Sequence, residues 1–186
     1  MSEPSLPEKV VALDERLAQA AIPHAFGGAL ALAYYAEPRA TDDVDVNVFT
    51  PAEEQANVLA ALSPLGVDAR DADASATERD GQCRWWWGRT PVDIFFAYDA
   101  LHDEMRSATR RVPFGEERIP ILAPEHLVIC KALFDRPKDW LDIEQVLVVS
   151  DRLDPDAIRG WLRRAVGDDD HRSERFDELA KRLTSG

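Results

Sequence analysis

At 186 residues, with 45% apolar and 31% charged residues, the chain suits one soluble globular core, or one α/β domain with a small helical appendage. Its formal charge of −13 disfavours broad, nonspecific binding to nucleic acid, because phosphate contacts need clustered Lys and Arg. Cys83 and Cys130 are too few for a disulfide scaffold and have no Cys/His partners at zinc spacing. No apolar run approaches the roughly 18 residues of a membrane span, and the N-terminal Met-Ser-Glu-Pro-Ser-Leu-Pro-Glu lacks the basic start and apolar segment of a secretion signal. A reducing, cytoplasmic setting with no membrane partner is the expectation.

Along the chain, Val10, Leu13, Leu17 and Ala20 form the stripe of an amphipathic helix over 6–21, ended by Pro23. His24-Ala25-Phe26 is a short extended segment running into Gly27-Gly28, and the following Ala29 to Tyr35 holds strong helix formers with no breaker before Pro38. The unit reads strand, glycine turn, helix. Val44 to Phe49 is a β-branched strand, after which Thr50-Pro51-Ala52-Glu53 starts a helix that should run to about Leu62.

Residues 68–81 are polar and without a clear period, which predicts a loop holding at most a weak strand. Arg84-Trp85-Trp86-Trp87-Gly88 and Pro91 to Ala97 are aromatic and β-branched runs that predict a hairpin and hence a mixed sheet. A helix over 100–111 and a short strand over 119–122 follow, and then only helices, over 124–134, 137–149, 154–165 and 172–183. The change from mixed α/β to all-helical sequence near residue 123 predicts an α/β core over 1–122 and a helical C-terminal subdomain over 123–186, sharing a cleft.

Asp43 and Asp45 lie two residues apart at the start of the Val44 strand. Side chains at i and i+2 share a face, so the carboxylates stand side by side, an arrangement that a divalent cation would offset. A solvated acidic edge strand is the alternative. The diglycine lets backbone approach a ligand closely, and the helix starting there presents unsatisfied N–H groups suited to a triphosphate; packing is the plainer role for such glycines. Asp93, central in the apolar strand Val92-Asp93-Ile94-Phe95-Phe96, needs either a metal or an arginine partner such as Arg89. Three carboxylates on two strands are the usual clamp for two Mg²⁺ ions about 4 Å apart that activate an attacking oxygen and bind polyphosphate.

The combination of Gly27-Gly28, then Arg39-Ala-Thr41-Asp-Asp43-Val-Asp45, then Asp93 resembles the nucleotidyltransferase superfamily of DNA polymerase β type. Gly-Gly-x-Ala-Leu followed by Arg-x-Thr-x-Asp-x-Asp looks like the AbiEii/AbiGii toxin-type group, and the downstream Leu122-Ala-Pro124-Glu-His-Leu127-Val-Ile-Cys-Lys131 and Arg136-Pro-Lys138-Asp139-Trp-Leu-Asp142 are similar to that group's helical Lys motif and Arg-x-Lys-Asp-x-x-Asp turn. The resemblance covers residues 26 to about 145. It implies a mixed β-sheet nucleotidyltransferase core flanked by helices, of α/β (α+β) class, that transfers a nucleoside monophosphate from an NTP with Mg²⁺ or Mn²⁺.

Carried over by position, Asp43 and Asp45 would be metal ligands, Asp93 the third acid that helps deprotonate the acceptor, and Lys131 a contact to the nucleotide's phosphates. Gly27, Gly28, Arg39, Thr41, Lys138, Asp139 and Asp142 complete the implied nucleotide site. Asp139 and Asp142 also suit a helix start as dipole complements, Thr41 a turn, and Lys131 a solvated helix face. By the same resemblance the acceptor is the 3′ end of a tRNA, making the chain a toxin restrained by an antitoxin. Transfer of AMP to a protein hydroxyl is the rival within the class, and a non-catalytic nucleotide- or partner-binding module is the rival outside it. A tRNA acceptor would call on Arg106, Arg110 and Arg111, expected on one helix, with Lys131, Arg136 and Lys138. Trp85-Trp86-Trp87 could stack on bases, but strand alternation turns one or two of these rings into the core.

Overall fold

The computed structural model describes residues 3–70, 72–150 and 153–184. In chain order its elements are α1 (Leu6–Gln19), β1 (His24–Phe26), α2 (Gly28–Leu32), β2 (Val44–Val48), α3 (Gln55–Leu62), β3 (Val67–Asp68), α4 (Ala74–Asp80), β4 (Gln82–Trp87), β5 (Thr90–Phe96), α5 (Ala100–Ser107), β6 (Arg110–Phe114), β7 (Glu117–Ile121), α6 (Pro124–Phe134), α7 (Pro137–Val149), α8 (Pro155–Val166) and α9 (His171–Thr184). The seven strands form one sheet in the order β3-β4-β5-β2-β1-β7-β6. It is mixed: β2 runs parallel to β5 and β1 to β7, while the remaining neighbours are antiparallel. The fold is therefore α/β with a helical C-terminal part.

Two compact units divide the chain, Met1–Leu30 with Ala40–Leu122 and Ala31–Arg39 with Ala123–Gly186. In the sheet-bearing unit, strand alternation sends Val44, Val46 and Val48 of β2, Val92, Ile94 and Phe96 of β5, and Trp85 and Trp87 of β4 into the core. Val10, Leu13 and Leu17 of α1 and Val58 and Leu62 of α3 are buried with them, α1 packing on both α3 and β7. Burial of each such side chain stabilises the fold by about 1.5–3 kcal/mol before the entropy of ordering it is counted. Trp86 alternates to the opposite face and is only half-buried, so two of the three tryptophans are core residues. Lys9 is buried too, its Nζ donating to the Trp87 carbonyl at 3.0 Å and Thr90 Oγ1 at 2.8 Å while pairing with Glu3.

In the helical unit, the buried faces are Leu127, Val128, Ile129 and Ala132 of α6, Trp140, Ile143 and Val146 of α7, Ile158 and Leu162 of α8, and Phe176 of α9. Asp154 caps α8 by accepting from the backbone N–H groups of Asp156 and Ala157 at 3.0 Å. None of the described helices is long and apolar enough to cross a membrane.

Three expectations change. The polar segment 68–81 holds a helix, α4, started by an Asp73 cap and stopped by Gly81 at φ +66°; Asp71, within that segment, lies outside the described residues. The helix expected over 100–111 stops at Ser107 and gives way to β6, so Arg106 is helical while Arg110 and Arg111 are strand residues. The single basic helix face expected for a tRNA does not form; Arg111 instead lies 3.8 Å from Asp14. The helix after the diglycine ends at Leu32, five residues long, rather than near Tyr35.

Candidate active site

The face of the sheet opposite the apolar core carries the acids. Asp45 is the outward member of β2, between buried Val44 and Val46, and Asp93 is outward on β5 between buried Val92 and Ile94. The parallel ladder pairs Val44 with Val92, Asp45 with Asp93 and Val46 with Ile94, which sets the two acids side by side on neighbouring strands, whose backbones in a sheet run about 4.8 Å apart. Asp43 precedes β2 by one residue, and its carboxylate accepts a short hydrogen bond from Thr41 Oγ1. Thr41 thus orients one acid of the pair.

The diglycine makes room for the other. Gly27 N–H donates to the Asp45 carbonyl at 3.0 Å, and Gly28 sits at φ +52°, where a Cβ would stand 2.5 Å from Asp45 Cγ and overlap its Oδ2. Only glycine leaves that space. With α2 just five residues long, its dipole is small, and clearance over Asp45 is the feature of the diglycine that the geometry supports most directly.

Asp93 has an arginine partner, and it is Arg84 of β4 rather than Arg89. Arg84 Nε and Nη2 donate to the two Asp93 oxygens at 2.7 and 2.8 Å, a bidentate pair with Asp93 mostly covered and Arg84 half-exposed. The hydrogen bond to Asp93 holds the guanidinium above its ordinary pKa against the opposing effect of desolvation, and the fields of Asp93, Asp43 and Asp45 add to it. Arg84 thus pairs with Asp93 and also stands in the field of Asp43 and Asp45. Sequence reasoning missed it, although the register of a hairpin turning at Gly88-Arg89 sets 84 opposite 93.

Among the described residues no three His, Cys, Asp or Glu side chains already converge as a metal cluster. The donor set nonetheless fits a hard divalent cation: carboxylate oxygens only, one oriented by Thr41, one given clearance by Gly28, on adjacent strands in register. Nearby, burial pushes the Cys83 thiol up to about 12, opposed by a hydrogen bond to Thr77 and reinforced by the Asp93 charge.

The remaining residues singled out in the sequence lie in the helical unit. Lys131 is buried on α6, its Nζ 2.6 Å from Asp142 Oδ2 and 3.8 Å from Asp139 Oδ1. Arg39 reaches Asp142 at 3.4 Å, and Arg136 grips Asp139 through Nε at 2.6 Å and Nη2 at 3.1 Å. Arg39, Lys131, Asp139 and Asp142 thus form one network that Arg136 completes, whereas Lys138 is exposed. Lys131 is not the solvated helix lysine; its charge is matched within its own unit.

No protein-family model matches the chain, and no curated protein matches it in sequence. Solved structures share its fold. The antibiotic-resistance factor ANT(2'')-Ia aligns over 100% of both chains at a TM-score of 0.63 and 15% identity, and in a second structure, in complex with adenylyl-2''-tobramycin, over 96% of this chain and 97% of that one at 0.59 and 14%. The lincosamide antibiotic adenylyltransferase LnuA, lincomycin-bound, aligns over 80% of this chain and 100% of its own at 0.53 and 12%. An antigenic nucleotidyltransferase-like protein from Paracoccidioides brasiliensis aligns over 95% and 92% at 0.51 and 14%. The chain has the fold of these nucleotidyltransferases.

Proposed function

We propose that the chain is a metal-dependent nucleotidyltransferase that moves a nucleoside monophosphate from an NTP to a hydroxyl acceptor. The observation that carries this reading is the in-register placement of Asp45 and Asp93 on parallel neighbouring strands, with Asp43 beside them and Gly28 cleared above Asp45. Asp43, Asp45 and Asp93 would hold Mg²⁺ or Mn²⁺, which when bound neutralises charge on the polyphosphate and activates the attacking oxygen. Asp93, nearest the flank of the sheet that carries Arg84, would take the acceptor's proton. Phosphoryl transfer asks the protein mainly to position groups and balance charge, and fixed acids on two hydrogen-bonded strands are suited to that. The resemblance assigns Lys131 to the nucleotide's phosphates, a role that Lys131→Met would separate from its pairing with Asp142.

For the acceptor, a small hydroxylated molecule is the leading reading. It is supported by the net charge of −13, by the separation of Arg106 from Arg110 and Arg111 onto different elements, and by fold neighbours bound to an adenylylated antibiotic and to lincomycin. A tRNA 3′ end, with the chain as the toxin of a toxin–antitoxin pair, is the second reading; the Arg39-Ala-Thr41-Asp-Asp43-Val-Asp45 motif favours it. Calorimetry of each NTP with Mg²⁺, with Mn²⁺ and with EDTA tests the shared core of both. NTP affinity should appear with the cation and vanish with EDTA, and equal affinity without metal would exclude the metal site.

A further inference from the structure

Arg84 is the feature of the acid site that its proposed chemistry does not use. It stands on β4 directly opposite Asp93, binds both of that carboxylate's oxygens, and lies within the fields of Asp43 and Asp45. A carboxylate whose two oxygens both accept from a guanidinium has its best lone pairs occupied. A divalent cation drawn to the same three acids meets a resident positive charge and one ligand already engaged.

Resting on the metal-dependent reading above, we propose that Arg84 is a built-in counter-ion that competes with the divalent cation for Asp93 and is released from it when the cation binds. Two consequences follow from charge alone. Without cation, Arg84 offsets the mutual repulsion of acids on adjacent strands and so allows the site to be assembled in advance. With cation, the guanidinium is repelled and Asp93 loses its partner; Arg84 is about half-exposed, so it can swing into solvent with little desolvation to reverse. The released guanidinium then stands at the rim of the site with its donors free, the chemistry that pairs with phosphate oxygens.

The test is a Mn²⁺ titration of the whole protein by electron paramagnetic resonance, comparing the unmodified chain with Arg84→Gln and Arg84→Lys. Arg84→Gln should bind Mn²⁺ about tenfold more tightly, since it removes one opposing charge and frees a ligand. Arg84→Lys, which keeps the charge but not the fork, should fall between. In ¹H–¹⁵N side-chain spectra the Arg84 Nε–H resonance, identified by its loss in Arg84→Gln, should move on adding Mg²⁺ to the position and fast water exchange of a free, exposed arginine, which an arginine that kept its Asp93 pair would not do. Mn²⁺ binding of equal strength in the unmodified chain and Arg84→Gln, or a resonance unmoved at saturating Mg²⁺, would overturn the proposal while leaving the metal site standing. Absence of Mn²⁺ binding by all three proteins, with and without NTP, would overturn the metal reading and the proposal with it.

Discussion

Asp45 and Asp93 are direct partners across the parallel β2–β5 ladder, and Arg84 meets Asp93 from the other side, across the antiparallel β4–β5 ladder. One cation and two neighbouring anions thus follow one another over three adjacent strands, β4, β5 and β2. Asp93→Asn removes one charge from a repelling group and leaves behind an arginine that is half-exposed, so the lost ion pair costs at most about 1 kcal/mol. The melting temperature should change little or rise while nucleotide transfer is lost. Thermal denaturation and labelled-nucleotide transfer on one preparation check this; a large loss of stability with transfer retained would make Asp93 a structural ion-pair residue only.

Gly28→Ala should be worse than Gly27→Ala. At 28 the new methyl meets the Asp45 carboxylate and the backbone sits in the left-handed region, which alone costs about 1–2 kcal/mol. At 27 it meets the Asn47 amide at 2.9 Å, and only a side-chain end has to shift. Denaturant unfolding should rank the two variants in that order, and Mn²⁺ affinity should fall in Gly28→Ala because Asp45 is displaced. Equal stability and equal Mn²⁺ affinity would contradict the clearance role given to Gly28.

Lys131→Met tests the helical unit. Among the described residues it would leave Asp142, itself almost fully buried, with the 3.4 Å contact to Arg39, and breaking a buried pair from one side typically costs about 3–5 kcal/mol. Adding Asp142→Asn should recover a large part of that loss. If Lys131→Met unfolds at the same denaturant concentration as the unmodified chain but fails to bind NTP, the lysine serves the phosphates rather than the network.

Cys83 should be an inert thiol. With its pKa pushed from 9.0 to about 12 by burial, it carries roughly a thousand times less thiolate at pH 8 than an ordinary cysteine, and the thiolate is the reactive form. In a Cys130→Ser background, alkylation at pH 8 should be very slow in the folded protein and fast in denaturant. Rapid alkylation of the folded chain would show the β4–α4 packing to be looser than described.

The acid strand and the tryptophan hairpin were legible because period-2 alternation is written directly in Asp43-Val-Asp45-Val-Asn47 and in Trp85-Trp86-Trp87, where the outer rings bury and the middle one does not. Helix α4 was hidden because Ala74 to Asp80 has almost no apolar stripe; its marks were Asp73 as a cap and Gly81 as a stop. The helix expected over 100–111 overruns the first two residues of β6 because charges at 106, 110 and 111 mimic a helical face, while Pro113 fits a strand that lies at the edge of the sheet. Arg84 escaped notice because its role is a cross-strand one, fixed by hairpin register rather than by proximity in sequence. The burial of Lys131 depends on Asp139 and Asp142 folding back from the next helix, a tertiary relation that its own apolar neighbours only hint at.

The central claim is tested most directly by supplying NTPs labelled at the α- or the γ-phosphate, with Mg²⁺ or Mn²⁺, to separate pools of small metabolites, total tRNA and cell protein. Label from the α-phosphate alone should enter one pool as pyrophosphate is released, and should disappear with EDTA and with Asp43→Asn or Asp45→Asn. A salt-sensitive signal in tRNA would favour the second acceptor reading, and label confined to protein the protein-modifying one. No α-label in any pool with any NTP, or label that survives both aspartate substitutions, would contradict the assignment of nucleotidyl transfer to these acids.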